Sequence, residues 1–223
     1  MPLIRRRFLL AFVVLLGTAG TVAWAQPRPV LSITMPAREL VTKVGPAVAA
    51  SHMLAGSKLQ ELLSSGFPAR LHFVVELWSV GGWVNNLERV TEWDVVVRRI
   101  ALEDVYEVTQ IAGDHIYSLG KFALLTDAEA AVGRPVRASI VASSGRKRFY
   151  YQATLAVETL ALSDLDEVER WLRGEFRPAV QGRRNPGTAL SRGIKTLASR
   201  MLGGERREYE QRTAVFGTTD DSR

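Results

Sequence analysis

Arg70-Leu71-His72-Phe73-Val74-Val75-Glu76-Leu77-Trp78 is the stretch that decides the fold. Leu71, Phe73, Val75 and Leu77 recur at every second position. Arg70, His72, Glu76 and Trp78 fill the places between, with only Val74 out of pattern. A period of two puts alternate side chains on opposite faces of an extended chain, so the stretch predicts a half-buried strand. Val80-Gly81-Gly82-Trp83-Val84-Asn85-Asn86 follows as turn chemistry. Leu87 to Arg99 alternates again, with Trp93, Val95 and Val97 opposite Glu88, Glu92, Asp94 and Arg98. Two such runs around a Gly/Asn turn predict a long antiparallel hairpin.

Outward from that hairpin, further extended runs come at short intervals. Val105 to Ile111 is closed by Gly113-Asp114, and His115 to Leu125 bends at Gly120. Val136 to Ala142 and Phe149 to Leu160 suggest a second hairpin across Ser143 to Arg148. Val30 to Thr34 and Val44 to Leu54 are weaker strand candidates, and Tyr209 to Phe216 reads as a terminal edge strand. The expected architecture is mainly β: an antiparallel sandwich or partly open barrel of about seven to nine strands.

Three or four short helices complete that expectation. Ser57 to Gln60 and Thr126 to Glu129 have the spacing of capping boxes, with stops at Gly66 and Gly133. Ser163 heads a third candidate, with Leu165, Val168, Trp171 and Leu172 on one side. The fourth runs from about Thr188 to Leu202.

Several of these features resemble the bacterial domain-of-unknown-function family 4390. The helix end Leu62-Leu63-Ser64-Ser65-Gly66-Phe67-Pro68 runs straight into Leu71 to Trp78. The Trp-bearing turn at Trp78 and Trp83, and the long second strand into Asp104-Val105-Tyr106-Glu107-Val108, are similar too. The likeness covers roughly residues 30 to 176. It implies an exported bacterial protein, sometimes encoded beside sensor kinases, and brings no catalytic residues with it.

The N-terminus independently predicts export. Arg5, Arg6 and Arg7 precede an unbroken apolar run from Phe8 to Leu16, and Ala23-Trp24-Ala25 has a small-x-small end. This is the pattern of a secretory signal peptide cleaved after Ala25. The alternative is a retained anchor, since Phe8 to Ala25 is 18 residues. Arg5 to Leu9 also fits a twin-arginine pattern, but the very apolar core favours the general secretory route.

Charge argues against nucleic acid. The 29 Lys and Arg exceed the 23 Asp and Glu, yet residues 26 to 176 hold sixteen basic and eighteen acidic side chains, a net of −2. The excess lies in the leader and in residues 177 to 204, which have six basic side chains and no acidic one. A domain of negative net charge lacks the footprint of a nucleic-acid binder. The expected division is a signal peptide over 1–25, a β domain over 26–176 and a basic linker, amphipathic helix and edge strand over 177–223.

A search for chemistry finds no catalytic, cofactor or metal constellation. The absence of Cys removes thiolate zinc sites and thiol nucleophiles. His52, His72 and His115 are scattered, and His72 is expected as a solvated or paired surface residue. Ser144-Gly145-Arg146-Lys147 has a serine-x-x-lysine spacing, but it falls in a turn and lacks its companion motifs. Asp164, Asp166, Glu167 and Glu169 suit the first turns of a helix, where negative charge is favourable.

Two tips carry a different signal. Trp78 on the polar face and Trp83 in the turn are aromatics able to enter a bilayer interface or anchor a partner. Arg146, Lys147 and Arg148 make the other tip basic. A third candidate surface is the C-terminal helix. There Leu190, Ile194, Leu197 and Met201 form a stripe, with Arg192, Lys195 and Arg200 off it.

The expectation is therefore a non-enzymatic envelope module contacting protein or an anionic membrane surface. The alternative is a carrier holding an apolar ligand between faces such as Phe73/Val75/Leu77 and Tyr151/Ala153/Leu155/Val157. A hydrolase assembled from distant residues is the third reading.

Overall fold

The computed structural model describes residues 28–159 and 206–218, which are organised in two antiparallel sheets. Strands β1 (Val30–Thr34), β2 (Ala47–Ser51) and β7 (Val136–Arg137) form the smaller sheet, in the order β1-β2-β7. The larger sheet has seven strands: β3 (Ala69–Ser79), β4 (Asn86–Ile100), β5 (Val105–Ala112), β6 (His115–Phe122), β8 (Arg148–Thr159), β9 (Arg206–Arg212) and β10 (Phe216–Gly217). Its order is β10-β8-β3-β4-β5-β6, and β9 shares the outer edge of β8 with β10. The architecture is the expected sandwich and not a closed barrel. Helices α1 (Ser57–Ser64) and α2 (Leu125–Val132) and a 3-10 turn at Arg38–Leu40 fill the connections.

The hairpin of β3 and β4 forms as its alternation predicts. Leu71 faces Val95 and Phe73 faces Trp93, and the Phe73 and Trp93 rings stack with centroids 5.0 Å apart. On its other side β3 pairs with β8 along its whole length, from Ala69 opposite Thr159 to Ser79 opposite Phe149. Phe73, Val75, Leu77, Trp93, Val95, Val97, Leu155 and Val157 are all buried in one cluster, together with Leu31, Val48 and Ala50 of the smaller sheet. The faces considered for a ligand cavity belong to this same core. Tyr151, Leu155 and Val75 have essentially no solvent contact.

Short turns enforce the meander. Gly113, at φ 59°, takes the first place of the two-residue loop between β5 and β6, which suits a type II′ turn. The expected bend in β6 is a bulge. Val108 faces Gly120 and Thr109 faces Ser118, so Leu119 is the extra residue, with Gly120 at φ 131°.

The second expected hairpin does not form. Both edges of β8 are occupied, by β3 on one side and by β9 and β10 on the other. Val136–Arg137 pairs instead with Ala47 and Val48 of β2. Beyond it Ala138, Ile140 and Ala142 are buried at alternate positions, and Ala138 and Ala142 donate backbone hydrogen bonds to the Pro46 and Val41 carbonyls. Ser143 to Lys147 therefore joins two layers of the sandwich. Gly45 permits this approach, because a Cβ there would lie 2.0 Å from the Ala138 carbonyl oxygen. The terminal strand is likewise two strands, β9 and β10, separated by Thr213 to Val215.

Neither expected capping box is made. The N-cap positions are Gly56 and Leu124, and neither has a side-chain cap. Tertiary contacts replace the caps. Gln60 donates to the Leu54 carbonyl, and Glu129 Oε1 accepts from the Leu54 amide at 3.2 Å. The stop of α1 does follow its residues: Gly66 at φ 91° lets the Phe67 amide reach the Leu62 carbonyl and its own amide the Leu63 carbonyl, a Schellman motif. The third and fourth expected helices and the leader lie outside the described residues.

Candidate functional site

The two tips singled out in the sequence lie at one end of the larger sheet. Antiparallel pairing of β3 with β8 sets Ser79 against Phe149 and Trp78 against Tyr150. The turn Val80 to Asn85 therefore lies beside Ser143 to Arg148, and the Val80 amide donates to the Arg148 carbonyl at 2.8 Å. Lys147 Nζ lies 2.8 Å from Glu88 Oε1, which joins the two loops by an exposed ion pair. Hydrogen bonds from Lys147 and then Ser79 hold the Glu88 carboxyl below the usual carboxylate range. The Thr218 hydroxyl, just past β10, reaches the carbonyls of Ser143 and Gly145 at 3.2 and 3.0 Å. Three separate segments thus fix this end.

Trp78 and Trp83 have different roles there. Trp78 is half-buried, which corrects the expectation of an exposed residue. Its ring stacks on Tyr150 with centroids 6.4 Å apart, and its Nε1 donates to Glu76. The Arg212 guanidinium lies 3.4 Å over the other contact of that stack, the Tyr150 ring, as a cation–π pair. Asn85 Nδ2 reaches Tyr150 Oη at 3.3 Å and braces the turn from the same residue. Trp83 is fully exposed, and Val84, Leu87 and Val90, which follow it in the chain, are exposed as well. Gly81 sets the turn, since a Cβ there would come 1.9 Å from the Val84 carbonyl oxygen. Arg89, Arg146 and Arg148 are exposed at the same end. Arg192, Lys195 and Arg200 lie outside the described residues.

The far end of that outer face holds a cluster that the sequence reading missed. Arg70 and His72 of β3, Asp94 of β4 and Glu158 of β8 are all buried. Arg70 Nη1 binds Glu158 Oε1 at 2.7 Å, and Arg70 Nε binds Asp94 Oδ1 at 2.9 Å. His72 Nδ1 lies 2.8 Å from the same Asp94 oxygen, while its Nε2 is buried with no hydrogen-bond partner. His72 is therefore not the surface residue expected. Burial alone would raise the Asp94 carboxyl, but the His72 hydrogen bond and the Arg70 charge outweigh it and hold its pKa low. Burial would likewise lower Arg70, and Asp94 and Glu158 reverse that. The available signal was three charged side chains inside strands that each have a strand on either side, an arrangement visible only once the strand order is known.

Among the described residues no three His, Asp or Glu side chains converge on a metal site, and no helix is long and apolar enough to cross a membrane. Comparisons with protein-family models, with curated proteins and with solved structures gave no match.

Proposed function

We propose that this chain is an exported bacterial envelope module, without catalytic activity of its own, that touches an anionic membrane surface through the end built by Val80–Asn85 and Ser143–Arg148. One observation carries the reading. A fully exposed Trp83, extended by Val84, projects from a braced turn whose neighbours Arg89, Arg146 and Arg148 are cations. An indole favours the headgroup region, where its ring is half desolvated and its N–H stays wet. Cations beside it gain roughly 1 kcal/mol each against anionic headgroups. Leu102 is equally exposed at another turn, but Glu103 and Asp104 beside it are paired with Lys121 and Arg99, so the charges there cancel and that turn lacks the cationic surround of Trp83. Export rests on the basic and apolar leader and on the resemblance to domain-of-unknown-function family 4390. That resemblance also makes a neighbouring sensor kinase a natural partner to seek.

Co-sedimentation with phosphatidylcholine vesicles, with and without phosphatidylglycerol, tests this. Binding should require the anionic lipid and weaken with salt. Trp83→Ala should weaken it about tenfold, from the loss of one inserted aromatic. Arg146→Glu with Arg148→Glu should abolish it. Equal binding to both vesicle types, or none to either, would sink the membrane reading and leave a protein partner at this end. Deleting residues 183 to 223 is not a clean test of the basic helix expected over 188–202, because it also removes β9 and β10 from the sheet. Substituting Arg192, Lys195 and Arg200 by Gln in the full chain isolates that contribution.

A further inference from the structure

Among the described strands the larger sheet ends in two edges, and they differ in charge. At one edge β9 reads Arg206-Arg207-Glu208-Tyr209-Glu210-Gln211-Arg212. At the other, β6 opens with His115-Ile116-Tyr117-Ser118-Leu119, with no Asp, Glu, Lys or Arg. Among the described strands β6 pairs only with β5, so its far side offers unpaired backbone N–H and C=O groups. Ile116 is 41% exposed and Tyr117 50% exposed. Natural sheets blunt such edges with charge, Pro or a bulge. Here the bulge falls on Leu119, the last residue of this stretch, Lys121 comes only after it, and Lys121 already holds Glu103 at 2.7 Å.

We propose that the β6 edge pairs with the β6 edge of a second copy, joining two larger sheets across a twofold axis. In an antiparallel twofold ribbon one residue must face its own symmetry mate, because adjacent pairs alternate in hydrogen bonding. With Tyr117 on the axis, Ile116 faces the mate's Ser118 and His115 faces its Leu119. No formal charges are opposed, and Lys121 falls opposite the turn glycine Gly113 instead of another lysine. The exposed Tyr117 rings meet as a cross-strand aromatic pair. The same operation on β9 about Tyr209 would set Arg206 against Arg212 and Glu208 against Glu210, so like charges block that edge. Self-complementarity selects a second copy over an extended peptide of unrelated sequence. A five-residue ribbon is small, so the association belongs to the weak class, below about 1,200 Å² of buried surface.

Sedimentation velocity over a dilution series from about 100 µM should show a monomer–dimer equilibrium. Ile116→Lys with Ser118→Lys opposes lysines twice across the axis and should weaken dimerisation at least tenfold, with the melting temperature unchanged because both residues are exposed. The chain has no Cys, so single cysteines report the register directly. Tyr117→Cys should close an intermolecular disulfide under mild oxidation, since self-facing Cα atoms lie about 4.5–5.5 Å apart. His115→Cys, displaced from its mate, should not. A chain monomeric throughout, a dimer indifferent to the double lysine variant, or cross-linking equal at 115 and 117 would overturn the proposal.

Discussion

Strand β3 has two faces with opposite chemistry, and its neighbours bury both. The inner face packs Leu71, Phe73, Val75 and Leu77 against the smaller sheet. The outer face buries Arg70 and His72 beside Asp94 and Glu158. An apolar face is stabilised by leaving water, and any well-shaped hydrocarbon would serve. A charged one is stable only while its partners stay in place. The first should therefore fail by losing volume, and the second by losing a partner.

The largest effects test that distinction. Phe73→Ala removes a ring stacked on Trp93 in the sealed core, and should cost about 3–5 kcal/mol in denaturant unfolding. Arg70→Ala should cost a similar amount, about 3–5 kcal/mol, because it takes the buried cation away from Glu158 and leaves Asp94 with His72 alone. The contrast appears on repair. Arg70→Met combined with His72→Phe, Asp94→Leu and Glu158→Leu should recover most of the loss, since packed apolar groups can replace a buried polar cluster once no member is left unpaired. A fourfold variant as unstable as Arg70→Ala alone would mean that the cluster contributes more than its own pairing.

The faces should also fail at opposite ends of the pH scale. Asp94 has its folded pKa held below the unfolded value of about 3.9. Its contribution is complete above that value and disappears as pH falls through the folded pKa. Tyr151, on the inner face, is pushed up to about 12 by burial. Its contribution is complete below the unfolded value of about 10 and is lost as pH rises through about 12. Unfolding midpoints across acid and alkaline series should show both limbs. Asp94→Asn should flatten only the acid limb, and Tyr151→Phe only the alkaline one.

Particular residues show what the sequence could and could not reveal. The alternation of Leu71 to Leu77 marked the inner face because a two-residue period is local. The outer face was misread because its burial depends on β8, and Glu158 meets Arg70 across 88 residues. Val136 to Ala142 alternates in burial as its pattern predicts, yet only Val136–Arg137 is a strand and it pairs with β2: alternation reports a face and neither a strand's length nor its partner. The candidate site was legible in pieces. Trp83 and Arg146 to Arg148 were both visible, but only the pairing of Ser79 with Phe149 puts them at one end.

The smallest stability effects belong to that end, and they separate its brace from its tip. Trp78 lies half-buried between Glu76 and the Tyr150–Arg212 pair, so Trp78→Ala should lower stability by about 1 kcal/mol or more through the lost stack. Trp83 touches solvent on all sides, so Trp83→Ala should shift stability by less than about 0.5 kcal/mol. In vesicle binding the order should reverse, because only Trp83 is placed to enter the interface. Gly81→Ala supplies the intermediate case. Its new Cβ would meet the Val84 carbonyl at 1.9 Å, so the turn must open and re-aim Trp83 while the sheet below stays paired. That variant should melt near the parent temperature and bind anionic vesicles as weakly as Trp83→Ala. If Gly81→Ala binds like the parent, the indole works as loose apolar surface and the bracing by Asn85 and Tyr150 has no part in presenting it.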